Sequence, residues 1–179
     1  MPNDQRPYSR TVSSYDGPTD LLGRTVHAFH SEYSFAALRL DNDQVIAFAV
    51  EEVSVGKWFE VFPICRYKLP SEFRPIWTEL EAPFTAAGIA VMWREEWLEP
   101  AMENAGLLGS GPHYAQFASV LGSAPTSSTS VVKVLAGLRL TDQGDRSLVV
   151  CSSDNTPFKA DFTTDSVEIQ QVMQFHTCE

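Results

Sequence analysis

A chain of 179 residues with 44% apolar side chains can bury one core, either as one domain or as two small halves that share it. Its net charge of −10, with 13 Lys and Arg scattered singly, would repel a phosphate backbone and excludes nucleic acid as a natural partner. There is no apolar run of about 18 residues, and the first stretch, "MPNDQRPYSRTVSSYDGPTD", has neither the apolar nor the positive region of a leader, so the expectation is a cytoplasmic protein with no membrane partner.

Residues 1–18 are polar and rich in Ser, Pro and Asp, which predicts a loose N-terminal arm before a single domain over 19–179. "TDLLG" reads as one helical turn, with Thr19 or Asp20 to cap it and Gly23 to end it in the left-handed region. From Arg24 the pattern becomes strand: "TVHAF", "FAALRL" and "QVIAFAV", with "DND" as a turn between the last two. Leu38 and Leu40 alternate with Arg39, which predicts a half-buried first arm. Val45 to Val50 is apolar on both faces, which predicts that the second arm is a central strand.

"WFEVFPICRYKL" predicts a further strand in which Pro63 marks an edge or bulge. "PSEFRPIWTELEAPF" has room for only a short helix, around Ile76 to Leu80, and "GIAVMWREEWLEP" predicts a strand from Ile89 that stops by Pro100. The stretch from Ala101 reads as irregular, helical at "YAQFASVL", and "SAPTSSTS" has the composition of a flexible connector.

A second copy of the first hairpin follows. "AGLRLTDQGDRSLVV" from Ala136 matches "AALRLDNDQVIAFAV" from Ala36, with Gly144 available for positive φ in a longer turn. The matching units run over 24–53 and 131–163. Duplication and shared hairpin physics explain so short a match equally well. If the copies are related, the surface between the two hairpins is where a ligand would be sought.

At the C-terminus Asp165 is placed to cap a helix, with Glu168 in capping-box position and Ile169, Val172, Met173 and His176 on one face. Together these elements predict an α+β fold: a mostly antiparallel sandwich or half-open barrel with a C-terminal helix packed on it.

The densest functional candidate is "WREEWLE". On a strand, Trp93, Glu95 and Trp97 share a face and set a carboxylate between two indoles. Arg94 and Glu96 face the other way, and Glu99 follows. An enclosed Glu95 would have a raised pKa suited to proton transfer. An exposed one leaves an acidic, aromatic patch able to hold a cation or basic side chain.

Other candidates fail on spacing. His27 and His30 point apart on a strand and gain no further metal ligands, so no metal is expected. His176 and Cys178 sit at a chain end that frays, and "GLLGSGPH", with Ser110 and His113, is neither a phosphate loop nor a nucleophile elbow. Cys65, Cys151 and Cys178 are odd in number and widely spaced, which disfavours a disulfide framework. Cys65 and Cys151 read as small buried groups and Cys178 as an exposed end residue.

Two functions compete. The first is a non-catalytic protein that binds a basic protein through Trp93, Arg94, Glu95, Glu96, Trp97 and Glu99, in one form an acidic inhibitory partner of the immunity-protein kind, with no cofactor. The second is a small-molecule-binding protein or enzyme whose pocket is walled by Trp93 and Trp97, with Arg94, Glu95, Glu96 and His30 as its polar groups. Strand edges and four tryptophans are compatible with a homodimer.

Overall fold

The computed structural model describes residues 8–12, 19–55, 59–98, 107–109, 130–152 and 160–179. In chain order the strands are β1 (Tyr8–Val12), β2 (Thr25–Ser31), β3 (Phe35–Leu40), β4 (Val45–Val50), β5 (Val53–Val55), β6 (Phe59–Val61) and β7 (Ile64–Tyr67). They continue with β8 (Thr78–Thr85), β9 (Gly88–Leu98), β10 (Leu107–Gly109), β11 (Ser130–Thr141), β12 (Ser147–Ser152) and β13 (Ala160–Thr163). Helix α1 (Ser166–Met173) and a short β14 (Thr177–Cys178) close the chain. No helix among the described residues is long and apolar enough to cross a membrane.

The first sheet has the order β7-β4-β3-β2-β8, and the second β13-β12-β11-β9-β14. Every pair along these two orders is antiparallel. Tyr8–Val12, inside the segment expected to be an arm, lies parallel to the first half of β11, and β10-β5-β6 form a small third sheet. The expected α+β class, antiparallel strands with a C-terminal helix, is the class observed.

One apolar cluster joins the two large sheets: Val26, Leu38, Leu40, Ile46, Phe48 and Ile64 from the first against Leu135, Leu138, Leu140, Leu148 and Val150 from the second. The surface between the two hairpins is thus solid core, and the ligand space anticipated there is filled by leucines. β4 lies between β7 and β3 and is covered on both faces, so the second arm is a central strand as expected; β3, expected to be half-buried, is equally interior and buried on both faces. Alternation around Arg39 misled because Ala37, on the arginine's face, is also fully covered.

Two bulges bring further residues into the shared core. Between Val26 and Ala28 the β2 register shifts by one residue, so Val26 and Phe29 both reach the core, which an unbroken strand forbids. The same occurs between Leu135 and Gly137 in β11, where Ala136 is the extra residue. Beside it, Gly137 faces Cys151, and a Cβ there would lie 2.4 Å from the Val150 carbonyl and 2.6 Å from the Cys151 Cβ.

Each sheet also has a covered outer face. On the second, Ile169, Val172 and Met173 of α1 pack over Met92, Val149 and Cys151. Asp165 caps the helix as expected, accepting from the amides of Val167 (2.9 Å) and Glu168 (3.0 Å). The reciprocal arm is rerouted: the Thr163 hydroxyl donates to Glu168 (2.5 Å) and accepts from the Asp165 amide (3.0 Å). The helix stops at Met173, before His176, whose Nδ1 lies 2.7 Å from the Val172 carbonyl. The end expected to fray pairs with β9 instead, where Val91 and Glu179 exchange hydrogen bonds of 2.9 and 3.0 Å.

On the first sheet, Leu69, Phe73 and Trp77 lie over Phe35, Ala37, Ala47 and Ala49. This strap contains no helix: the turn expected around Ile76 to Leu80 is overridden because the Ile76 backbone binds His30 and β8 pairs with β2 from Thr78. Of the expected turns, Gly23 is left-handed (φ 78°) as anticipated, whereas the positive φ of the second hairpin falls on Asp145 (61°) rather than Gly144. The segment "YAQFASVL", Ser110 and His113 lie outside the described residues.

Gly137→Ala should cost about 2 kcal/mol or more, because the obstruction is backbone that cannot rotate away. Gly144→Ala, whose Cβ would meet only Asp142 Oδ1 at 3.5 Å, should stay within about 0.5 kcal/mol. Urea midpoints of the two variants check the contrast.

Candidate functional site

Strand β9 carries the Trp-rich stretch as an extended segment, which puts Trp93 and Glu95 on one side and Arg94 on the other. Trp93 is half-buried, stands opposite Leu135 and packs against the shared core. Glu95 stands opposite Lys133 and is exposed. The Lys133 ammonium lies 4.9 Å from the centroid of the Trp93 ring and forms an ion pair with Glu179. The cation expected on that indole face is therefore supplied by the chain itself.

Arg94 is buried, and its Nη1 lies 3.4 Å from the Ser152 hydroxyl, which donates to the Ala136 carbonyl (3.3 Å). Glu96 and Trp97 occupy strand positions opposite Val132 and Val131. Their side chains, and Glu99 altogether, lie outside the described residues. His30 is on β2, in the other sheet, so it does not meet Arg94 or Glu95. Of the polar groups proposed for an enzymatic pocket, His30, Arg94 and Glu95 thus fall on different surfaces, and Glu95 lacks the enclosure that would make it a general acid.

A groove of about 740 Å³ lies elsewhere, between β8 and the start of α1, and none of its lining comes from β9. Phe29, Leu80, Phe84 and Ile169 give it apolar walls, and Glu79, Glu81 and Asp145 give it an acidic rim. The arginines of the repeated hairpins end at this rim. Arg39 binds both Glu79 oxygens (2.6 and 2.7 Å) and lies 5.7 Å from the Trp77 ring, and Arg139 donates to Ser147 (3.1 Å). Sequence reasoning missed Lys133 and this groove because both depend on pairing between segments far apart in the chain.

Arg146 ties the sheets together at the groove, binding Asp142 (2.6 Å) and the Pro83 carbonyl (3.0 Å). Partial desolvation pushes the Asp142 carboxyl up. The hydrogen bonds from the Arg146 side chain and the Arg146 and Gly144 amides, with the Arg146 charge, outweigh it and hold the group below the usual carboxylate range. At Cys178 burial pushes the thiol up against the nearby Arg139 charge, which disfavours a thiolate nucleophile. Cys65 and Cys151 are buried and Cys178 exposed, and all three are free thiols.

No protein-family model matches this chain, and no curated protein or solved structure shows significant similarity to it.

Because the Asp142 carboxyl is depressed in the fold, its contribution to stability is present above its unfolded pKa, near the ordinary value of 3.8, and is lost as pH falls through the folded one. Asp142→Asn should therefore lower Tm at neutral pH, and the gap to the parent protein should close as acidification passes below the ordinary carboxylate value of 3.8 and through the lower folded-state one. Thermal melts across pH measure it. A gap that stays constant would remove the carboxylate from the account.

Proposed function

We propose that this chain is a non-catalytic acidic protein that captures a basic protein partner through the end of β9, with Glu95, Glu96 and Glu99 as the attracting charges. The observation that supports this reading is the exposure of Glu95 on the same strand face as Trp93. A solvated carboxylate beside an indole is poorly suited to proton transfer but well suited to meeting a lysine or arginine. The net charge of −10 adds long-range attraction for such a partner and accelerates its encounter.

Lys133 gives the patch its form. It shields Trp93 and is held by Glu179, so a docking cation would meet Glu95 at the rim rather than the indole face that Lys133 occupies. An inhibitory partner of a basic protein, in the manner of an immunity protein, is the most specific version of this reading and rests on charge complementarity.

The test is affinity capture from native-source lysate at low and then high salt, followed by titration of the retained partner. The parent protein should retain a basic protein that high salt releases, and E95K/E96K/E99K should weaken that complex by at least about 100-fold. Undiminished affinity in the charge-reversed variant would move the interface away from β9, and the absence of any basic partner would sink the reading.

A further inference from the structure

Sulfur is unevenly placed in this molecule. Met92 and Met173 are the methionines among the described residues, and both lie with Cys151 in the apolar cluster under α1. Cys178 belongs to the same cross-strand row of the second sheet: it stands opposite Met92, Met92 opposite Gly137, and Gly137 opposite Cys151. Four of the five sulfur side chains among the described residues thus gather in one region, and only Cys65, on β7 of the first sheet, lies elsewhere.

The outer end of this row has the geometry of a ligand set. The Cys178 Sγ lies 4.0 Å from the Met173 Sδ. A metal about 2.3 Å from each of two sulfurs, with its bonds at about 120°, holds them about 4.0 Å apart. His176 falls between these two residues in the chain, two before Cys178, the spacing that sets side chains on one face of an extended segment. Its amide lies 3.5 Å from the Met173 carbonyl, which closes the turn that carries all three residues.

The imidazole is set in the form a metal needs. Its Nδ1 lies 2.7 Å from the Val172 carbonyl, which only accepts, so in the neutral ring Nδ1 carries the proton and Nε2 the lone pair. Nε2 is buried and has no hydrogen-bond partner among the described residues. A buried polar atom left in that state is costly, and a ring whose other N–H is held by a backbone carbonyl is the usual arrangement of a metal-binding histidine. The chain end is itself held in place, since Val91 and Glu179 exchange backbone hydrogen bonds just beyond Cys178.

The donors choose the metal. A thiol and a thioether are soft ligands that select copper(I), an imidazole accepts it as well, and calcium and magnesium prefer oxygen. Burial outweighs the nearby Arg139 charge and raises the Cys178 thiol, so a metal has to displace a proton there, which favours a thiophilic ion over a hard one. Cys178 is exposed, which gives such an ion its way in.

We propose that the C-terminal segment of this chain binds one copper(I) ion in a three-coordinate site made by Met173 Sδ, His176 Nε2 and Cys178 Sγ. The Cys178 thiol gives its proton to solvent as the copper–sulfur bond forms, and the oxidation state of the metal does not change. The site shares no residue with the β9 capture surface and does not depend on it.

The test is anaerobic titration of the reduced full chain with copper(I) in competition with a chromophoric copper(I) chelator, together with X-ray absorption of the equimolar complex. One equivalent should bind, with one nitrogen and two sulfurs at bonding distance. Cys178→Ser should weaken binding at least about 100-fold, and Met173→Leu and His176→Gln about tenfold each. Cys65→Ala, which removes a thiol in the other sheet, should leave the affinity unchanged. Undiminished affinity in Cys178→Ser, a copper ion without a nitrogen ligand, or no uptake in competition with the chelator would each overturn the proposal. Should Met173→Leu fail to fold, Cys178→Ser, at an exposed position, and the absorption spectrum of the parent protein decide.

Discussion

Both sheets of this molecule send side chains into one core, and in each a phase shift in one strand adds a further residue to it. Val26 and Phe29 are three residues apart, as are Leu135 and Leu138, and in an unbroken strand the members of each pair would point to opposite faces. The extra residue in β2 and the extra Ala136 in β11 bring both members inward. Gly137 is the companion of the second bulge, because the strand there runs so close to β12 that no side chain fits.

The two sheets are also wired alike. In each, a strand (β2 or β9) precedes a hairpin (β3-β4 or β11-β12), a later strand (β7 or β13) adds to the far arm, and one more (β8 or β14) closes the opposite edge. The similar stretches from Ala36 and Ala136 occupy the same place in this scheme, with Leu38 and Leu40 facing Leu138 and Leu140 through the shared core. They differ at the tips. The first hairpin ends at the pair Arg39 and Val45, whereas the second continues past Arg139 to Thr141 and Ser147. That extension carries Arg146 out to Pro83, so the longer copy supplies a tie between the sheets that the shorter one lacks.

What was legible in the sequence was what short range decides. Period-two alternation located the hairpins and β9, and Asp165 located the helix start, because each signal lies within a few residues of its consequence. What was not legible depended on distant partners. Nothing near Trp93 announces Lys133, which reaches it from β11, and nothing in "RPIW" announces that the Ile76 backbone is claimed by His30. The Glu168 carboxylate was expected at the helix start but is met by Thr163, a residue the capping pattern does not include. The candidate patch shared this fate: its strand and alternation were readable, and its exposure was not.

The edge of the first sheet is built against addition of a further strand. Strand β8 pairs with β2 only near its two ends, at Thr78–Glu79 and Phe84–Thr85, and the intervening Leu80–Pro83 stands out of register. Another strand seeking to extend the sheet would meet a break in the ladder, a proline without an amide hydrogen, and the exposed charges of Glu79 and Glu81. The outward loop that forms one wall of the 740 Å³ groove is thus also a guard against strand-to-strand polymerisation, with groove and guard made by the same residues.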